Sequence, residues 1–189
     1  MKRVVAAGLF LMTLAVLGQA PSQDGPQFTK DNRLAPPANY REWIFLSSGL
    51  GMTYGPADGA PSNNPRFDNV FVNPASYKAF LETGKWPDKT MFVLEVRSSA
   101  SKGSINQGGH YQTDDFRLSA EVKDSSRFKD NWEFFTLPAN GQPGEMLPRT
   151  AGCFACHSKN GAVDNTFVQF YPTLLPVAKA KGTLKSTEK

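Results

Sequence analysis

The chain has 189 residues and a formal charge of +4, half of it from Lys2 and Arg3, so the remainder is close to neutral. That length suits one domain with its own core. The other basic residues gather mainly in the tail, at Lys179, Lys181, Lys185 and Lys189, and form no clustered basic face with interleaved aromatics, which excludes a nucleic-acid binder.

Lys2 and Arg3 precede a nearly unbroken apolar stretch, Val4 to Leu17, and Gly18-Gln19-Ala20 supplies small residues for cleavage. This is the layout of a secretory signal peptide over residues 1–20. The stretch is short of the about 20 apolar residues that a membrane span needs, so export to the periplasm is expected. Residues 21–38, rich in Pro, Gln, Asn and Asp, read as a linker or irregular lead-in. Pro36-Pro37 can open a helix, which Asn39 to Leu46 continue with apolar residues at helical spacing until about Gly49. A loop dense in Gly, Pro and Asn covers 55–66.

Phe67 to Val72 partly alternate and predict a strand. Asn73-Pro74 gives an N-cap with proline at the first helical position, and a short helix runs from Ala75 to Glu82, ended by Gly84. After a turn at Trp86-Pro87-Asp88-Lys89, Thr90 to Ser98 carry the strongest strand signal in the chain. A polar turn region from Ala100 to Gly109 leads to a second long strand, Phe116 to Val122, with a clear period of two. Trp132 to Leu137 predict a third, and 138–150 a Pro/Gly loop. Residues 183–189 read as a disordered tail.

Between loop and tail stands Cys153-Phe154-Ala155-Cys156-His157, holding the only two cysteines and one of two histidines. C-x-x-C-H is the attachment pattern of a c-type haem. Thiols at i and i+3 on one helical turn reach the two vinyl groups, and the imidazole that follows lies under the iron as its proximal ligand. One covalently attached haem c is expected, with Cys153 and Cys156 as thioether anchors, His157 as iron ligand, and several of the chain's 22 aromatic residues walling the ring. A C-x-x-C also serves as a thioredoxin-like redox pair or as half of a zinc site. The redox pair belongs near the start of a βαβ unit, not in the last fifth of a chain. The zinc site needs a second ligand pair, and only His110 is left.

The motif opens a helix that runs on towards Val163 to Tyr171 unless Gly161 breaks it. The layout predicts an α+β fold, a predominantly antiparallel β-sheet with a few helices and a C-terminal haem-binding helix, in one haem domain over 39–182. No Met or His follows His157. His110, Met146, Met91 and Met52 are the remaining second-ligand candidates, Met146 the best placed. The favoured reading is a five-coordinate iron, open to a small molecule.

The chain resembles the cytochrome P-460 / cytochrome c′-beta family over roughly residues 39–180. The resemblance rests on Asn39-Tyr40-Arg41-Glu42-Trp43, Asn73-Pro74-Ala75-Ser76-Tyr77, Thr83 to Thr90, Val122 to Phe128, Asn131-Trp132-Glu133-Phe134, the haem motif, and Phe167 to Pro172, in that order. It implies a mostly antiparallel β protein, usually a homodimer. Its P-460 branch carries a lysine bonded to the haem macrocycle and oxidises hydroxylamine. Its c′-beta branch lacks that bond, has a five-coordinate haem in an apolar pocket, and binds nitric oxide.

The resemblance places the cross-linking lysine just before the Glu of the strand after the Trp-Pro-Asp-like turn. Here that Glu is Glu95 and the residue before it is Leu94, which has no amine. Strand alternation puts Phe92 and Val96 on the face of Leu94, so these three, with Leu147 of the preceding loop, are the expected haem-pocket residues. The expectation is a nitric oxide-binding, c′-beta-like protein with an unidentified electron-transfer partner. Hydroxylamine oxidation and plain electron transfer are the alternatives, and no catalytic residue is assigned.

Overall fold

The computed structural model describes residues 24–54 and 63–185; the leader expected over 1–20 lies outside them. Strands β3 (Ile44–Leu50), β4 (Phe67–Val72), β5 (Met91–Ala100), β6 (Tyr111–Lys123) and β7 (Trp132–Leu137) form one antiparallel meander in chain order, after a small antiparallel pair, β1 (Gln27–Phe28) and β2 (Leu34–Ala35). Helix α1 (Pro74–Thr83) links β4 to β5, and α2 (Gly152–Asn160) and α3 (Leu175–Lys181) follow the sheet. The fold is the α+β arrangement expected, with the antiparallel sheet in the majority.

Two hydrophobic clusters flank the sheet, one on each face. Met91, Val93, Ala120, Val122, Phe135 and Leu137 pack with Leu34, Tyr40 and Trp43 on one side. Val72, Phe92 and Trp132 pack with Phe80, Trp86, Val168 and Tyr171 on the other. β5 therefore buries both of its faces, which is why it reads as a near-continuous apolar run.

Several expected elements differ. Residues 39–46 are not a helix: Tyr40–Glu42 form one 3₁₀ turn, and Ile44 to Leu50 pair with β4 from Val72 back to Phe67. A short apolar run is ambiguous in period, and the β4 ladder decides it. The lead-in is ordered over 24–38: Leu34 is fully buried and exchanges backbone hydrogen bonds with Gly144 (3.0 and 2.7 Å). Asn73 precedes α1, but its side chain accepts from the Met91 N–H (2.8 Å) rather than capping the helix. The motif helix stops at Asn160. Residues 183–185 are packed, not disordered: the Lys185 N–H donates to Ala162 O (2.7 Å) and Leu184 lies against the core.

Asp124, fully buried just past β6, ties the β6–β7 turn to Lys89, two residues before β5. It accepts from the Lys89 ammonium and from the hydroxyl (2.6 Å) and N–H (3.2 Å) of Ser126. Burial alone would raise its pKa, but these partners outweigh that and hold the carboxyl below its usual range. Its contribution is therefore full above pH about 4 and is lost as the pH falls through the folded value. Asp124→Asn should cost about 2 kcal/mol at pH 7 and much less at pH 3, measured by urea unfolding; equal stability of variant and parent at pH 7 would contradict this.

Candidate functional site

The sheet register sets one wall of a cavity of about 540 Å³. Cross-strand partners share a face, so Phe92, Glu121 and Phe134 form one row and Val70, Leu94 and Ser119 the next,. All six line the cavity. The far wall comes from Cys153, Cys156 and His157 on α2 and from Phe167, Phe170 and Tyr171 after it, while Leu147 closes one side and Met52 and Tyr54 another. Leu147 is placed by its N–H, which donates to Phe134 O (2.8 Å).

Helix α2 is steered onto the sheet by Arg149, just before it. The Arg149 guanidinium lies 4.3 Å from the Phe154 ring centroid and pairs with Glu133 (2.5 Å) and Asp130 (3.3 Å) near β7. The rings of Phe134 and Phe167 then flank the His157 imidazole at 4.7 and 4.5 Å between centroids.

His157 Nδ1 lies 2.9 Å from Asn165 O. A carbonyl only accepts, so Nδ1 carries the proton and Nε2 is the nitrogen left for a metal. The acceptor sits in a turn where both Asp164 (φ 48°) and Asn165 (φ 65°) are left-handed, a conformation that costs non-glycine residues free energy although Asn and Asp tolerate it best. Neighbours hold it: Lys123 of β6 pairs with Asp164, Trp86 Nε1 donates to Thr166 Oγ1 (2.9 Å), and Lys185 Nζ bridges Ser158 O (3.0 Å) and Asn165 Oδ1 (3.1 Å). Gly161 permits the close approach, since a Cβ there would lie 2.5 Å from the Asn165 carbonyl carbon and 2.7 Å from His157 O.

Glu121 was not singled out by sequence. Its Oε1 stands 3.3 Å from His157 Nδ1, buried and with no hydrogen bond of its own, because the ring N–H is aimed at the carbonyl. Burial pushes the Glu121 carboxyl up, with His157 opposing. For His157, burial disfavours the charged ring, but Glu121 and the Asn165 carbonyl more than reverse this and leave it above its ordinary value. Asp68 and Tyr54 are a second missed pair: Tyr54 Oη donates to Asp68 Oδ2 (3.1 Å), and partial burial raises the Asp68 carboxyl. The cavity is thus lined by hydrocarbon with two carboxyls set into it, not by hydrocarbon alone.

Of the expected pocket residues, Phe92, Leu94 and Leu147 line the cavity; Val96 does not. Val96 shares the face but stands further along β5, opposite Asp68, which takes that part of the wall. Among the second-ligand candidates, Met91 is fully buried on the opposite sheet face, Met146 is 43% exposed and off the wall, and His110 is exposed beside Asn63 O (2.9 Å). Met52 alone of these reaches the wall. Among the described residues no lysine lines it, and no three His, Cys, Asp or Glu side chains group to hold a bare metal ion. Two unpaired thiols, an imidazole with Nε2 free and a large apolar cavity between them fit a haem held at one edge and from one face.

A family model described as Cytochrome P460 matches residues 37–168. No curated protein matches the chain. Gly161→Ala should displace Asn165 from His157, an overpacking worth about 1–3 kcal/mol. The expected outcome is a lower thermal midpoint together with a lengthened Asn165 O–His157 Nδ1 contact in a crystal structure; a variant unchanged in both would refute the close-approach argument.

Proposed function

The chain belongs to the cytochrome P460 family, which implies a haem cofactor, and from that premise we propose an exported, five-coordinate haem protein that binds nitric oxide. One haem is held covalently by Cys153 and Cys156 and ligated by His157 Nε2. The observation that carries the reading is Leu94. It lies on the cavity wall where the resemblance places the cross-linking lysine, with no lysine beside it among the described wall residues. When bound, the haem supplies an iron with one open position. The chain excludes water from that position with Phe92, Leu94, Val70 and Leu147, and a neutral diatomic is favoured there over a polar ligand. Lys2, Arg3 and the apolar stretch after them support export. The β3 edge, with Phe45 and Leu50 half exposed, supports pairing into a homodimer.

A second reading, oxidation of hydroxylamine, draws on Asp68 of the cavity wall, whose raised carboxyl is suited to take up protons,. Plain electron transfer would need Met52 as sixth ligand.

The first test is an absorption spectrum of the purified protein, ferric and then reduced with dithionite, before and after nitric oxide. A high-spin five-coordinate ferrous spectrum altered by nitric oxide is expected. A red-shifted ferrous Soret band would put hydroxylamine oxidation first, and a low-spin spectrum would put electron transfer first. His157→Ala should keep the haem attached through its thioethers and lose the proximal-ligand signature; unchanged ligand binding would remove His157 from that role. Leu94→Lys should bring an amine to the cavity, and a crystal structure showing that lysine in solvent would overturn the register argument.

A further inference from the structure

A buried carboxyl oxygen that makes no hydrogen bond is expensive to keep. Glu121 Oε1 is such an atom: the side chain is 12% exposed and this oxygen has no hydrogen-bond partner. Glu121 does not hold the sheet together, since its β6 neighbours are paired through the backbone ladder to β5 and β7. What it has is position, with Oε1 3.3 Å from His157 Nδ1, on the side of the ring away from Nε2. The same nitrogen faces Asn165 O at 2.9 Å. One imidazole N–H is therefore presented to two acceptors, a neutral carbonyl from a strained turn and a carboxyl from the sheet.

We propose that Glu121 is a positioning residue that sets the donor strength of His157: the carboxyl beside Nδ1 makes Nε2 a stronger donor to the haem iron than a carbonyl acceptor alone would. An acceptor at the outer nitrogen of a metal-bound imidazole raises its basicity and fixes its orientation. Greater donation from below favours the ferric over the ferrous iron and changes how firmly a ligand on the open side is held. The proposal rests on His157 being the proximal ligand and extends that reading to its control.

The test compares the parent holoprotein with Glu121→Gln, Glu121→Ala and Glu121→Asp. Haem content and far-UV circular dichroism come first, then the midpoint potential by spectroelectrochemical titration and the iron–histidine stretching frequency of the reduced protein by resonance Raman. The expected result is a higher potential and a lower stretching frequency in Glu121→Gln and Glu121→Ala, with Glu121→Asp moving back towards the parent. Removing the buried Oε1 that makes no hydrogen bond should leave unfolding stability equal or increased. A purely structural Glu121 would give the opposite pattern, lost stability with potential and frequency unmoved, and that would overturn the proposal. The potential can be read with five- or six-coordinate iron. A low-spin parent would therefore sink the nitric oxide reading and leave this test standing.

Discussion

The hydrogen bond from His157 Nδ1 to Asn165 O organises the molecule around the cavity. To put that carbonyl beside the ring, the chain must turn sharply within eight residues of the histidine, through two consecutive left-handed residues and past a glycine too crowded to carry a side chain. That conformation is unfavourable by itself. It persists because three distant parts of the chain bind the turn: Lys123 at the end of β6, Trp86 before β5 and Lys185 after α3. The packed core supplies the free energy, and the turn converts it into a fixed imidazole.

The sheet meets a second demand, that of serving two cores at once. Its one face packs Leu34, Tyr40 and Trp43; its other is divided between the Trp86–Tyr171 cluster and the cavity. β5 answers with apolar residues on both faces. β6 answers differently, giving Leu118, Ala120 and Val122 to the first core and Ser119 and Glu121 to the cavity. The polar side of β6 is thus an interior surface, and the cavity inherits its carboxyl from an alternation that ordinarily marks solvent.

This explains what could be read from sequence. That Cys153, Cys156 and His157 act together was legible because the motif puts them on one helical turn, and the structure brings all three to the cavity wall. Leu94 was legible because strand period fixes its face once Glu95 is placed, and Glu95 indeed lies on the opposite side, accepting from Tyr40, Arg41 and Arg97. Val96 was misplaced because a face says nothing of how far along it a cavity extends. Residues 39–46 were misread because Trp43, Ile44 and Leu46 satisfy helical spacing, whereas the chain from Ile44 onward pairs with β4. Glu121 was missed because period two gives a polar face without saying what covers it. The double burial of β5 was the available clue, since a neighbour of a strand buried on both sides is covered on both sides too.

The C-x-x-C-H motif lies within five consecutive residues, and its anchoring chemistry is local enough to be engaged on an extended chain. The clamp on His157 is not: it draws on residues from 86 to 185 and is complete only when β6, the 163–166 turn and the segment after α3 have met. Under the proposed function, anchoring the haem and fixing its histidine are therefore separate events in the life of the chain. The first can precede folding. The second is complete only when folding has finished, because the last described residues must first have found their places.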